Sequence, residues 1–399
     1  MSAELFEPVT PPVDRRGQLQ RRLREERRHA NHHATVAAIV TLALVLVGGL
    51  TRTATADPVN PASLTVLDPE RPDELFTATM VGDMMFARGV GEIVERRGYE
   101  PLFRNVQPLL AGDYVSGNLE TVVSDDPDLP EADKLIFLQS PTASTEAMVD
   151  AGFTTVSLAN NHAMDHGIPG LSATIEAVEG AGLHHAGGGR DLDEAKTIDY
   201  QEFGDFTVAT LSFTDVFVNG FIARAFQGGV LDASEDTMLP MIVEADANAD
   251  LVIVNMHFGE EYDNGPSARQ RELVEAASAA GADVIAGHHP HVALTVDVVG
   301  DTLVFYSLGN FVFDQGWSRT RESFIARYGL DEDGSAMVEI VPIYIEEATP
   351  RVVEGLSGAY RRARIFQRVT AGSSLPWQRE GDVLVAEFDQ SAMLEEEQS

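Results

Sequence analysis

Five times along this chain an apolar, β-rich run stops abruptly at a polar or ionisable cluster. Residues 75–81, LFTATMV, stop at Gly82-Asp83, and a helical stretch follows near residues 88–97. YVS stops at Gly117-Asn118-Leu119-Glu120, FTTVSLA at Asn160-Asn161-His162, and LVIVNM at His257-Phe258-Gly259-Glu260-Glu261. DVIAG stops at His288-His289-Pro290-His291. Helix-like segments at residues 169–181 and 268–280 separate these runs. Short runs of β-formers bounded by glycine, alternating with helices of this length, predict an α/β sheet core. Ligands in such sheets bind outside the carboxyl ends of the strands, so five polar stops can converge on one site.

Later segments change character. Residues 291–313 read as a hairpin turning at Gly300-Asp301, and MVEIVPIYIEE at residues 337–347 as a further strand. The second half of the sheet system is therefore expected to be partly antiparallel. The sequence contains no internal repeat.

The N-terminal region differs from everything after it. Seven Arg and two Glu lie between Arg15 and Arg28, and residues 34–51 form an uncharged stretch of 18 residues. That is long enough for a membrane-spanning helix, which needs roughly 17–25 apolar residues. Arginines on its N-terminal side place that end in the cytoplasm and all that follows outside. A cleaved signal peptide competes, because Ala54-Thr55-Ala56 has the form of a cleavage site. The expected organisation is an Arg-rich cytoplasmic segment (1–33), a transmembrane anchor or signal core (34–51) and a Pro-containing spacer (52–74). A core domain (75–347) and a C-terminal extension with an Arg cluster and acidic tail (348–399) follow.

Charge narrows the function. Residues 1–56 hold eight Arg against five acids, which leaves 20 basic and 58 acidic residues beyond them, a net −38. A field of that sign repels phosphates and argues against a nucleic-acid partner. One segment runs the other way: Arg361, Arg362, Arg364 and Arg368 face a single acid, Glu354, between residues 352 and 378. They form either an ordinary solvated helix face or a contact for an anionic polymer. The chain has no cysteine, so any metal must be held by N and O ligands.

Each polar stop also has a purely local reading. Gly-Asp is a common turn, Asn160-Asn161 tolerates left-handed backbone, and His162, Asp165 and His166 suit a surface loop. Three imidazoles within residues 288–291 make a poor turn and a good metal site. The conjunction of the five stops carries more weight than any one of them.

Six ordered stretches, VGDMMFARGV, SGNLETVVS, SLANNHAMDHG, VNMHFGEEY, GHHPHV and YSLGNFVFDQ, resemble the capsule-synthesis CapA family, also called the poly-γ-glutamate biosynthesis group. That family lies within the calcineurin-like metallophosphoesterase superfamily. The resemblance implies a four-layer α/β/β/α sandwich and a centre of one or two divalent ions (Mn, Fe, Zn or Mg) at the strand ends. It also implies membrane-attached work on an anionic, poly-γ-glutamate-like capsule polymer, beside other capsule-synthesis membrane proteins. By the same resemblance Asp83, Asn118, Glu120, Asn161, His257, His289 and His291 are metal ligands and His162 is the catalytic histidine. Two positions depart from the superfamily pattern. Met85 stands where Asp-x-His has its histidine, and Asn118 stands in place of a bridging Asp, with Glu120 as the substitute carboxylate.

These residues support metal-assisted hydrolysis or transfer at a γ-glutamyl bond, with Glu260 and Glu261 supplying a base or reading a substrate amine. Two alternatives remain open: a non-catalytic, polymer-binding export component, favoured by Met85 and Asn118, and a metallophosphoesterase, favoured by His162 and the His-x-His pair.

Overall fold

Alternation of side chains along each central strand divides the apolar residues among three cores. In the strand Glu74–Met84, Phe76, Ala78 and Met80 enter one core, while Val81 and Met84 enter a second. In Leu251–His257, Leu251 and Ile253 join the first core, whereas Val252, Val254 and Met256 enter a third. A period of two with both faces apolar requires that each sheet be covered twice. One core therefore lies between two facing sheets, and the others lie beneath helices. Gly167–Ala181 buries Leu171, Ile175 and Val178 against the first sheet. Glu235–Asp246 and Ala268–Ala279 bury Met238, Ile242, Leu273 and Val274 against the second. The fold is mixed α/β.

The computed structural model describes residues 74–316, 319–353 and 355–395. The expected Arg-rich segment, apolar span and nearly all of the spacer lie outside these residues, as does the end of the acidic tail. Among the described residues no helix is long and apolar enough to cross a membrane.

Among the described residues the first sheet has ten strands. Glu74–Met84, Tyr114–Leu119, Thr155–Ser157 and His184–Ala186 run parallel in that order. On the other side of Glu74–Met84 the strands Glu322–Asp331, Ser335–Glu346 and Val383–Asp389 run antiparallel. The short strand Asn310–Val312 also pairs with Glu74–Met84, in parallel. The second sheet has six strands, with Phe206–Thr214, Leu251–His257, Val284–His288 and Thr302–Phe305 parallel at its centre.

The hairpin expected over residues 291–313 is present in shorter form, Val296–Val299 against Thr302–Phe305 with Gly300 at φ of +62° in the turn, because Asn310–Val312 joins the first sheet instead. The antiparallel half is present too, and it does not stop at Glu347. Val383–Asp389 continues the first sheet beside Ser335–Glu346, and Ile365 and Val369 of the helix Gly355–Val369 join the inter-sheet core. The first sheet is wider than the second, and this helix covers part of the excess apolar surface. Within the antiparallel half, Arg327 and Glu339 stand opposite each other on adjacent strands and form a buried ion pair of 3.0 Å.

Candidate metal centre

Close backbone approach sets the first site residue. A Cβ on Gly82 would lie 1.7 Å from the Gly309 carbonyl oxygen, which accepts a hydrogen bond from Asp83 N at 2.9 Å. Only glycine lets the two segments meet there. Asp83 is then in register with Asn118 on one neighbouring strand and Asn310 on the other. On the facing sheet His257 is in register with His288. Beyond that strand end His289 and His291 adopt φ of +92° and +55°. Such backbone costs about 1–3 kcal/mol per residue and persists where the surroundings enforce it.

Four strand ends and one loop thus meet in a buried cluster. Asn118 Nδ2 donates to Asp83 Oδ1 at 2.8 Å and lies 3.3 Å from His257 Nδ1 and 3.4 Å from Glu120 Oε2. Its own oxygen accepts from Asn160 Nδ2 at 3.0 Å. Asn118 is accordingly the hydrogen-bonding hub between the carboxylates. His291 Nδ1 lies 3.1 Å from Asp83 Oδ2 and 2.8 Å from Asn310 Oδ1. His257 Nε2 lies 3.0 Å from Asn161 Oδ1. Met85, by contrast, packs into the core beneath the helices of the first sheet.

The electrostatics of the cluster are uneven. Burial opposes the charge on Asp83, but hydrogen bonds and charge from His288 and His291 hold its carboxyl well below the usual range. Burial pushes Glu120 well above that range, against the attraction of His291. Burial and neighbouring imidazoles depress His257 strongly, and His289 to about 4. Burial also works against a charge on His291, yet Glu120 and Asp83 raise it to about 9.

Donor chemistry and unsatisfied atoms both fit a divalent cation. Glu120, His257 and His289 form one set of converging ligand atoms, and Asp83, Glu120 and His291 form another. Within each set the atoms lie inside 4.8 Å of one another, and Glu120 belongs to both, the place a bridging carboxylate would take. Among the described residues, Glu120 Oε1, His289 Nδ1 and His288 Nε2 are buried without a hydrogen-bond partner. Leaving such groups unpaired costs about 1–3 kcal/mol each unless something else meets them.

His162 stands at the edge of this cluster, held by Asp165 Oδ2 at 2.7 Å from its Nδ1. Burial lowers its pKa, against the pull of Asp165. Glu260 and Glu261 are exposed beyond His257. The four arginines lie on the helix Gly355–Val369, and each is engaged within the chain. Arg362 is buried, donates to the Val353 carbonyl at 2.8 Å and pairs with Asp382 at 3.1 Å. Arg364 and Arg368 share Glu322 at 3.3 and 3.0 Å, and Arg361 lies 3.7 Å over the Tyr344 ring.

Reading the strand ends alone missed Lys134, which bonds Asn161 and Asp165, and the role of Asn310 beside His291. Asn310 falls inside the YSLGNFVFDQ stretch, which offered a signal; Lys134 sits in an acidic loop that offered none.

Comparison with known proteins follows the same line. The family described as "Bacterial capsule synthesis protein PGA_cap" matches residues 77–315. The chain is 43% identical over 324 residues to the PGA biosynthesis protein CapA of Bacillus subtilis (strain 168), covering 81% of this chain and 85% of that protein. It is 40% identical over 379 residues to the capsule biosynthesis protein CapA of Bacillus anthracis, covering 93% and 89%. Among solved structures, the calcineurin-like phosphoesterase YfkN of Bacillus subtilis aligns with a TM-score of 0.35 at 11% identity, covering 74% of this chain and 98% of that one. The chain belongs to the bacterial capsule synthesis protein family PGA_cap.

Proposed function

We propose that this protein is a membrane-anchored, extracytoplasmic component of capsule or poly-γ-glutamate synthesis or export that acts as a metal-dependent hydrolase or transferase on a γ-glutamyl polymer. The observation that carries the reading is the pair of overlapping donor sets, with their unpartnered atoms, beside an imidazole held by a carboxylate. The order helices, sheet, sheet, helices supports reading the core as a four-layer α/β/β/α sandwich of metallophosphoesterase type. In the same reading residues 34–51 are a single-pass anchor, residues 52–74 a spacer, and other capsule-synthesis membrane proteins are neighbours.

Asp83, Glu120, Asn161, His257, His289 and His291 would hold one or two divalent ions. Such an ion supplies Lewis acidity to a carbonyl and lowers the pKa of water. Asn118 keeps the two carboxylates apart through its Nδ2 contacts. His162, with Nδ1 engaged by Asp165, offers Nε2 to take a proton from the attacking group and return it to the leaving nitrogen. The exposed Glu260 and Glu261 are placed to meet a substrate amine.

His162→Ala and Asp83→Ala are each expected to abolish release of glutamate fragments from the polymer. Unchanged release by both purified variants would rule the catalytic reading out. A second reading, a polymer-binding component without turnover, is favoured by the withdrawal of Met85 into the core and by the neutral amide of Asn118 between the carboxylates. Elemental analysis combined with assays on γ-glutamyl and phosphodiester substrates separates it from both hydrolase readings. A −38 domain repels an anionic polymer within a Debye length of about 8 Å. Polymer binding is therefore expected to depend on added divalent cation.

A further inference from the structure

Lys134 is one of only two lysines beyond residue 56. Its side chain is 12% exposed, and the ammonium turns inward. Nζ donates to the Asn161 carbonyl at 2.8 Å and to Asp165 Oδ1, and lies 3.2 Å from His162 Nδ1. Asp165 is wholly buried. Its other oxygen meets His162 Nδ1 and accepts from Leu138 N, both at 2.7 Å.

Of the two neutral tautomers of His162, the shorter of the two contacts to Nδ1 favours one. An ammonium has donors and no lone pair, so it cannot accept from the imidazole. A bare Nδ1 lone pair at 2.7 Å from a carboxylate oxygen would be repelled. The proton of a neutral His162 therefore sits on Nδ1 and points at Asp165. Lys134 in turn gives the buried carboxylate a fixed cation and a donor for its second oxygen. Without it, Asp165 Oδ1 would lose a donor that this buried position cannot replace from solvent.

We propose that Lys134 is a positioning residue: by holding Asp165 against the Asn161–His162 turn, its ammonium locks His162 with Nδ1 protonated and Nε2 facing the site. The inference rests on the proposed role of His162, but its test does not require turnover. In protein labelled with ¹⁵N at histidine, the His162 ring signals are identified by their loss in His162→Ala and compared among wild type, Lys134→Met and Lys134→Arg. Wild type should show the Nδ1–H tautomer, Lys134→Met a mixture of tautomers, and Lys134→Arg a return toward wild type. On γ-glutamyl polymer, Lys134→Met should lose about tenfold or more in kcat with KM little changed, as expected for a residue that orients a reacting group through another. A Lys134→Met spectrum identical to wild type overturns the proposal. Should that variant not fold, Lys134→Gln removes the ammonium with a smaller change in polarity, and a wild-type tautomer there overturns it equally. Absence of turnover in wild type would sink the catalytic reading of His162, while the spectra still decide the role of Lys134.

Discussion

Glu322 and Glu120 are both buried carboxylates, yet their surroundings differ in kind. Glu322 lies between the guanidiniums of Arg364 and Arg368, at 3.3 and 3.0 Å. Arg327 and Glu339 repeat that arrangement across adjacent strands. Glu120 faces imidazoles instead, His291 at 3.8 Å and His257 at 4.0 Å. In the antiparallel half of the molecule, buried charge is met by fixed cations of the chain itself. At the strand ends it is met by groups that give up or take a proton, so a cation from outside can replace that proton. The first arrangement suits stability, and the second has the chemistry to accept a cation.

The largest effect should come from the paired charges. Arg327→Met leaves Glu339 buried beside an apolar side chain and should cost about 3–5 kcal/mol in urea unfolding, with bound metal unchanged. A loss below about 1 kcal/mol would put that pair in the class of weak surface bridges. Glu120→Gln should act the other way round: bound metal falls by about a hundredfold in affinity, while the metal-free protein melts no earlier than wild type. Retention of metal by this variant, measured by elemental analysis after dialysis, would remove Glu120 from both donor sets.

Metal uptake should also depend on pH. His291 is raised to about 9 by the Glu120 and Asp83 carboxylates, so it holds a proton near neutrality that a cation must displace. Affinity should therefore rise with pH between 6 and 8, about tenfold per unit for each proton released. Calorimetric titration in two buffers of different ionisation enthalpy counts those protons, and a count of zero contradicts the contrast with Glu322. The smallest effect is expected at Arg361, which stacks on Tyr344 and has no acidic partner in an ion pair among the described residues. Arg361→Gln should change stability by less than about 0.5 kcal/mol. Any fall in polymer retention on a poly-γ-glutamate column should then be charge-driven and vanish in high salt.

Much of the parallel half was legible beforehand. The helices Arg88–Arg97, Gly167–Ala181 and Ala268–Ala279 fall within two residues of the segments expected from apolar spacing. The strand ends at Asp83, Asn118, His257 and His288 do meet. The arginine island was not legible in the same way. A window over residues 352–378 sees uncompensated charge, because Asp382 and Glu322, the acids that meet Arg362, Arg364 and Arg368, lie outside it. Lys134 was hidden for the same reason, since its partners are 27 to 31 positions away, beyond the helix Ala143–Ala151 and the strand Thr155–Ser157.

What the amino-acid order determined by itself is local. Period-two apolar runs, glycine at the strand ends and the clustering of carboxylate, amide and imidazole after them follow from propensity and burial over a few residues. What only the tertiary structure decided is the state of each charge. Asp83 meets the backbone of His289, 206 positions away, at 3.3 Å, and its carboxyl is held low by imidazoles from the facing sheet. Desolvation and Coulomb interactions act through space, over a few ångströms, whatever the separation along the chain. A buried carboxylate is therefore half of a structural pair in one part of the molecule and a candidate ligand in the other.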